Sequence, residues 1–400
     1  MTANDPRYFI NNALTLNGEL VVHWADGHKS RYHPMLLRHQ CECSLCGTSL
    51  NGVRTIRIHH IPENINPSEV SHTNSEVKLV WSTDGHESSY LARWLRCHCY
   101  SDSERHSRKH VPTLWDASIS DSIPTANFEE ARANPKARLA LLEAVCDFGF
   151  CKIINAPTDA NQSKQLIELI GSQRQSHYGT YNLAKKKAID NVGDTTNALD
   201  PHIDETYRLS HVGITVFQVL NPSSNGGDST LVDGFEAARR LREYSPEDFK
   251  LLTELAITNH RFDRAQSGDR DPRWYISRLP LIRLDSDSEV CGIHFNERQI
   301  APLDLPADKI GPCYRALRKI FETLYDPALR LTFKLKAGDG LIFNNQRILH
   351  GRTSFEPEEP SRSVLTSSVD IEEFHSTLRI LKSSLGYKGP QIAYSQGMAG

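Results

Sequence analysis

Apolar and polar residues alternate in short runs through the first hundred positions, the period of a half-buried strand. ELVVHWADGHKSRYH (19–33) reads as a hairpin turning at Ala25-Asp26-Gly27-His28, and VRTIRIHHIP (53–62) and EVKLVWSTDGH (76–86) read as further strands. SSYLARWLRCH (88–98) reads as a helix with Leu91, Trp94 and Leu95 on one face. The polar, charged stretch that follows predicts a linker over 106–122. Beyond it the period lengthens. PKARLALLEAVCDFGF (135–150) predicts a helix opened by Pro135, with Leu139, Leu142, Val145 and Cys146 at helical spacing. CKIINAP reads as a strand and QSKQLIELIGSQ as a second helix. From Val212 onward strands dominate: VGITVFQVL, DSTLVDGF, LPLIRLD, VCGIHFN, LRLTFKLKAGDGLIF and RSVLTSSVDI, interrupted by helices at FEAARRLREYS and PCYRALRKIFETLYD. The expectation is a mainly β chain with flanking helices. A small β-rich domain spans 1–105, and a sandwich or barrel framed by helices spans 123–400. No internal repeat stands out, and no segment is low-complexity.

Composition narrows the class of function. With 38% hydrophobic and 24% charged residues in 400, the chain is an ordinary globular one, long enough for two or three domains. A formal net charge of −3 argues against a nucleic-acid or membrane-surface partner. No apolar run approaches the length of a membrane span. MTANDPRYFINN lacks a basic region followed by an apolar stretch, and SQGMAG carries no lipidation or peroxisomal signal, so a cytoplasmic location is expected.

Of nine cysteines, five fall in the first hundred residues: Cys41, Cys43, Cys46, Cys97 and Cys99. Clustering of this kind in an intracellular chain points to a metal rather than to disulfides. Cys41, Cys43 and Cys46 can wrap one tetrahedral zinc, which needs a fourth ligand: His86, or one of Cys97, His98 and Cys99. Such a closed set is structural and contributes folding free energy. The plain alternatives are reduced, buried thiols, or a zinc-ribbon nucleic-acid module, against which the absence of a basic stripe speaks.

DPHIDETYR holds the one His-x-Asp among the 18 histidines of the sequence. On a strand, residues i and i+2 share a face, so His202 and Asp204 would aim at one spot while Ile203 packs behind. They supply two arms of a facial triad. In KAGDGLIFNNQRILHGRTSF a turn feeds a strand ending at His350, a candidate third arm. Iron(II) held this way keeps open positions for a bidentate cosubstrate and dioxygen. Arg362, on the next strand, could grip the far carboxylate of a dicarboxylate cosubstrate. The plain alternative leaves His350 and Arg362 on a solvated face.

With these residues in hand, the chain resembles the γ-butyrobetaine and trimethyllysine dioxygenase family, within the taurine-dioxygenase-like superfamily of iron(II)/2-oxoglutarate oxygenases. The resemblance runs through LLRHQCECSLCG, WSTDGHESSYLARWL, DPHIDETYR, NGGDSTLVDGF, GIHFN, KAGDGLIFNNQRILHGRTSF and RSVLTSSVDI. It implies a double-stranded β-helix (jelly-roll) catalytic domain and iron on His202, Asp204 and His350. It implies 2-oxoglutarate on Arg362, less securely assisted by Ser229, and His86 as the fourth zinc ligand. It also implies a homodimer, with the zinc domain helping to build the interface.

Substrate choice departs from the family. Its trimethylammonium site is an aromatic cage, as cation–π attraction requires. Here Tyr178 and Tyr181 remain as walls, but Asp194 and Ser368 stand where aromatics are expected. A carboxylate at Asp194 suits an ammonium that donates hydrogen bonds, such as an amino acid's, better than a methylated one. Within the wider class of small amine, betaine or amino-acid-like substrates, an amino acid or specialised metabolite is therefore expected, and carnitine synthesis is not. Asn191 and Asn296 are candidate polar contacts, or simply turn residues. Arg352 either pairs with a carboxylate or braces its strand. Lys185 to Lys187 form a solvated loop or a lid. The implied reaction splits 2-oxoglutarate to succinate and carbon dioxide while an unactivated C–H is hydroxylated. Desaturation or ring closure uses the same ligands, whereas Asp204 occupies the position a halogenase leaves for halide. The rival classes are a non-catalytic binding protein on the same fold and a zinc hydrolase using the same triad.

Overall fold

The computed structural model describes residues 5–47, 54–175, 181–183, 195–264, 271–356, 362–390 and 392. The chain divides into two compact units, 1–109 with 388–392 and 110–387 with 393–400.

In the first unit, β1 (Ile10–Leu16), β2 (Glu19–Trp24) and β3 (Lys29–Tyr32) form an antiparallel sheet followed by the short helix α1 (Pro34–His39). A second sheet of β4 (Pro67–His72), β5 (Glu76–Trp81) and β6 (Glu87–Leu91) is followed by α2 (Ala92–Cys97) and α3 (Asp102–Ser107). One core joins them: Leu20, Val22, Trp24, Tyr32 and Leu37 from the first part, and Val77, Leu79, Trp81, Tyr90 and Leu95 from the second. Two expectations are corrected. The strand expected over 53–62 is absent among the described residues: Arg54 makes only a bridge, and Ile58–His60 form a 3-10 turn with Ile58 exposed. Ile56 and Ile61 pack against the core of the first unit from irregular backbone, without strand pairing. The helix expected from Ser88 starts at Ala92, because Ser88 and Tyr90 alternate inward with the period of a strand and leave Leu91 exposed.

The second unit opens with β7 (Thr125–Asn127), α4 (Phe128–Ala133) and α5 (Pro135–Phe148). Asn134 caps α5 by accepting from the Lys136 N–H, and Pro135 occupies the first turn. Gly149 ends the helix with φ at 79° and sends the chain into β8 (Phe150–Ile154). A Cβ there would also meet the Ile348 side chain at 2.6 Å. Next come α6 (Lys164–Ile167), β9 (Tyr181–Leu183), β10 (Leu199–His202), β11 (Ile214–Asn221), β12 (Ser229–Asp233), α7 (Gly234–Tyr244) and α8 (Pro246–Glu254). They are followed by β13 (Ala256–Asp263), β14 (Arg273–Pro280), β15 (Ile282–Leu284), β16 (Val290–Ile293), α9 (Ala307–Leu324), β17 (Arg330–Phe333), β18 (Gly340–Asn344), β19 (Ile348–Arg352), β20 (Ser363–Val369) and α10 (Ile371–Ser384). The hairpin β13–β14 and the helices α8 and α10 lie outside the elements expected from the sequence.

Two sheets make the jelly roll, in the orders β7-β8-β18-β11-β20-β9 and β10-β19-β12-β17. Strand alternation assigns each face of the smaller sheet to a different core. Leu231 and Ile348 point between the sheets, with Phe150, Val219, Leu341, Phe343 and Val364 from the larger one. Val232 and Leu349 point the other way, into a core built on α7, α8 and α9. Trp115 and Ile119, within the expected linker, are buried in the inter-sheet core, so the segment after residue 109 belongs structurally to the second unit.

Between these layers a fully buried ion pair ties the fold together. Arg347 donates from Nε to Asp233 Oδ1 at 3.0 Å and from Nη2 to Oδ2 at 2.8 Å. Its Nη1 and Nη2 also donate to the Asp147 and Thr113 carbonyls respectively, and Asp233 caps α7 through the Phe235 N–H. Asp233→Ala leaves the guanidinium buried without its counter-charge and removes a helix cap. It should destabilise the second unit by about 3–5 kcal/mol, read as a shift in the urea midpoint of that unit's transition.

Candidate functional site

The alternation that sends Ile348 between the sheets sends His350 there too, two residues on. Register brings His350 opposite Leu231 on one side and His202 on the other. The two imidazoles lie 4.5 Å apart between centroids. Asp204 lies between them, its Oδ1 3.4 Å from His202 Nε2 and its Oδ2 3.4 Å from His350 Nε2. The three side chains offer one ligand atom each, all within 4.8 Å of one another.

The sequence expectation put Asp204 on the same strand as His202. Instead β10 ends at His202 and Asp204 opens a turn whose next residue, Glu205, has φ at 56°. Ile203 does pack behind, fully buried in the helical core. What aims the carboxylate is Asn345, a fully buried residue with no role expected from the sequence. Its Oδ1 accepts from the Asp204 N–H at 2.9 Å, and its Nδ2 donates to the Asp204 carbonyl at 3.1 Å. The signal for it was an asparagine in a turn between two apolar strands, where a buried amide needs specific partners.

The donor set suits a divalent ion. His202 Nδ1 bonds to the Asp200 carbonyl at 2.9 Å, which leaves Nε2 as the lone-pair nitrogen. His350 is clasped by the rings of Phe343 and Phe217, at 4.7 and 5.4 Å between centroids. Burial favours the neutral form of Asp204, but His350 and His202 outweigh it and hold the carboxyl well below the usual carboxylate range. Burial, then His350, lowers His202 and favours its neutral form, the form that offers a lone pair to a metal.

The triad opens on a cavity of about 430 Å³. Arg362, Ser229, Asn296, Ser368 and Arg352 all line it, as do Arg261, Arg298 and Lys334, which the sequence reading did not single out. Among the described residues, those five cationic side chains face the carboxylates of Asp204 and Glu205, a balance that favours anions. Arg362 immediately precedes β20 and shares the inward face of Val364. Burial pushes its guanidinium down to about 10, and Nη1 is buried with no hydrogen-bond partner among the described residues. A buried cation without an anion is costly, and a ligand carboxylate would remove that cost. Asn296 donates to the Ile203 carbonyl at 3.3 Å, and its buried Oδ1 has no partner among the described residues. Arg352 donates to the Thr195 and Asn197 carbonyls, which braces the approach to β10. Tyr181 lies on β9 opposite Thr366. Tyr178, Asn191, Asp194 and Lys185 to Lys187 lie outside the described residues.

In the first unit, Cys41, Cys43, Cys46 and His86 converge. His86 Nε2 lies 3.3, 3.5 and 3.6 Å from the three sulfurs. A tetrahedral zinc with bonds of about 2.3 Å to sulfur and about 2.0 Å to nitrogen separates those atoms by about 3.5 Å. This Cys₃His set fits zinc. Cys97 and Cys99 stand outside it. Arg38 Nη1 donates to Cys46 Sγ at 3.1 Å while Nη2 holds Asp84, whose carboxylate accepts from the His86 N–H. No helix among the described residues is long and apolar enough to cross a membrane.

Comparison with known proteins extends the picture. The family model for taurine catabolism dioxygenase TauD, TfdA family, matches residues 108–367, and that for the gamma-butyrobetaine hydroxylase-like N-terminal region matches 13–96. The gamma-butyrobetaine dioxygenase of Pseudomonas sp. (strain AK-1) is 29% identical over 375 residues, 93% of this chain and 96% of its own. The trimethyllysine dioxygenase of Meyerozyma guilliermondii is 26% identical over 376 residues, 90% of this chain and 92% of its own. Among solved structures, the non-heme iron oxygenase OrfP in complex with Fe and alpha-ketoglutaric acid is 16% identical, with a TM-score of 0.45. That match covers 62% of this chain and 94% of OrfP.

Asn345 touches no ligand atom of the triad, yet it sets the turn that aims Asp204. Asn345→Ala is expected to weaken divalent-ion binding at this triad by about 10–100-fold, measured by isothermal titration with Mn(II), while the zinc content stays unchanged.

Proposed function

We propose that this chain, which belongs to the taurine catabolism dioxygenase TauD, TfdA family, is an iron(II)- and 2-oxoglutarate-dependent dioxygenase that hydroxylates an unactivated C–H of a small amine, betaine or amino-acid-like substrate. The balance is one substrate, one dioxygen and one 2-oxoglutarate giving one hydroxylated product, succinate and carbon dioxide. The observation that carries the reading is one cavity holding both a His/Asp/His triad and a buried guanidinium whose Nη1 has no hydrogen-bond partner among the described residues.

His202, Asp204 and His350 are the residues that would hold iron, and Arg362 the one that would receive the far carboxylate of 2-oxoglutarate. Bound there, iron(II) supplies the oxygen activation and electron transfer that protein side chains lack. Asp204 contributes the single negative charge of the set, and the Asp200 carbonyl keeps the Nδ1 proton of His202 away from the ligand nitrogen. Arg362 orients the cosubstrate bidentately, with Ser229 as a lesser neighbour. Phe217, Leu335 and Val364 form an apolar part of the lining and exclude water from the reacting space. For the substrate, the buried Asn296 Oδ1, without a partner among the described residues, accepts from an N–H or O–H group. The excess of arginine in the lining favours a molecule that carries a carboxylate as well as its amine. Ser368, beside them, leaves room where the related cage would need an aromatic ring. Tyr178, Tyr181, Asn191 and Asp194 complete the substrate assignment by sequence alone. The structural zinc on Cys41, Cys43, Cys46 and His86 belongs to the same reading.

Purified enzyme given iron(II), ascorbate, oxygen and 2-oxoglutarate should form succinate, accelerated by an accepted amine or amino acid. Arg362→Met should raise the apparent KM for 2-oxoglutarate by about 10–100-fold. His202→Ala should lose iron and succinate formation while keeping its zinc, read by elemental analysis. Succinate formation that persists in His202→Ala would overturn the assignment of the triad.

A homodimer in a cytoplasmic setting completes the proposal, supported by the sequence resemblance. Sedimentation equilibrium should give twice the 45.1 kDa chain mass, and a monomer at micromolar concentration would remove that part of the reading.

A further inference from the structure

The polar contacts around the Cys41–His86 cluster have counterparts elsewhere in the first unit. At one constant offset along the chain, Asp26-Gly27-His28 answers to Asp84-Gly85-His86, Ser30 to Ser88, Tyr32 to Tyr90, Leu37-Arg38 to Leu95-Arg96, and Cys41 to Cys99. The secondary structure repeats with them: three antiparallel strands and then a six-residue helix, α1 in one half and α2 in the other.

Some contacts lie within each half, and others cross between halves reciprocally. Trp24 Nε1 donates to Ser30 Oγ at 2.8 Å, as Trp81 Nε1 does to Ser88 Oγ at 2.8 Å. The Tyr32 hydroxyl donates to the Leu95 carbonyl, and the Tyr90 hydroxyl to the Leu37 carbonyl. Arg38 pairs with Asp84 at 3.1 Å, and Arg96 with Asp26 at 3.0 Å. Each of these aspartates accepts from the N–H of the histidine two residues on, at 3.0 Å in both halves. The correspondence reaches the ligands: His86 Nε2 is 3.3 Å from Cys41 Sγ, and His28 Nε2 is 3.4 Å from Cys99 Sγ.

Two positions differ. Where the first half has Cys43, the second has Ser101, whose Oγ lies 3.4 Å from Cys99 Sγ. Where the first has Cys46, the second has Glu104. Arg38 donates to the Cys46 sulfur at 3.1 Å, and Arg96 donates in the same way to Glu104 Oε1 at 2.7 Å.

We propose that the first unit is two copies of one metal-holding half, and that His28, Cys99, Ser101 and Glu104 form a second, dormant zinc locus, closed in this chain by the Arg96–Glu104 ion pair. A closed structural zinc site takes four nitrogen and thiolate ligands. This locus retains two. A serine hydroxyl is a poor substitute for a thiolate, and the Glu104 carboxylate is committed to Arg96. The wild-type chain therefore carries one zinc, and its second half is fastened without one.

Ser101→Cys with Glu104→Cys in the full chain should raise zinc from one to two per chain by elemental analysis, and cobalt(II) loading should add a second tetrahedral thiolate absorption band. Adding His28→Ala should return the count to one, whereas His28→Ala alone leaves the wild-type count at one. Glu104→Cys alone provides three strong ligands and the same cobalt readout if the double variant is insoluble. A folded protein of either kind that stays at one metal overturns the proposal. So does failure of both variants to fold in zinc-supplemented medium, since a true zinc locus gains folding free energy from the ion.

Discussion

The register of β10, β19 and β12 is the constraint on which the rest of the site depends. Strand alternation makes every second residue of β19 face the space between the sheets, so Ile348 builds core and His350 reaches the cavity from the same face. A slip of one residue would turn His350 into the helical core beside Leu349 and leave no triad. The helices α7 to α9 oppose that slip, because they bury the other face of the same strands through Val232 and Leu349. Stability and chemistry are therefore specified by one set of hydrogen-bonded pairings.

Two buried arginines show how the same side chain serves different ends. Arg347 is surrounded: a carboxylate receives two of its N–H groups and main-chain carbonyls two more. It is a closed, internal element of the fold. Arg362 lies at the wall of a cavity with no partner for Nη1 among the described residues, and burial lowers its affinity for the proton. The protein invests stability in holding an unmatched cation there, and such a cost is sustained by a ligand that matches it. The first unit makes the same distinction with ions: one locus has four soft ligands, while its counterpart has an ion pair at one of the equivalent places.

Much of this was legible in residue order. The strands around VGITVFQVL, DSTLVDGF and RSVLTSSVDI stand out because they are bounded apolar runs, and the Cys-x-Cys-x-x-Cys spacing limits how far three sulfurs can lie from one ion. The edge strand β4 and the hairpin β13–β14 were not: β4 carries too few apolar residues to set a period, and β14 exposes Trp274 and Ile276 while burying Ser277. The repeat in the first unit is faint in residue order because its shared residues are sparse (Trp, Asp-Gly-His, Ser, Tyr, Leu-Arg, Cys) and the spacing after the tryptophan differs by one residue between copies.

The sequence by itself determined which atoms are available: two imidazoles and a carboxylate, three thiolates and a histidine, and an arginine a short strand away from the distal His. Those identities follow from residue type and local spacing. Only the tertiary structure decided that Asp204 reaches the triad from a turn rather than from a strand, and that Asn345 holds the turn. It alone decided that His86, and not Cys97 or Cys99, faces the three sulfurs. The physical reason is common to all three: each depends on backbone groups brought together from distant parts of the chain, and hydrogen-bond partners at that separation leave no periodic trace in the order of residues.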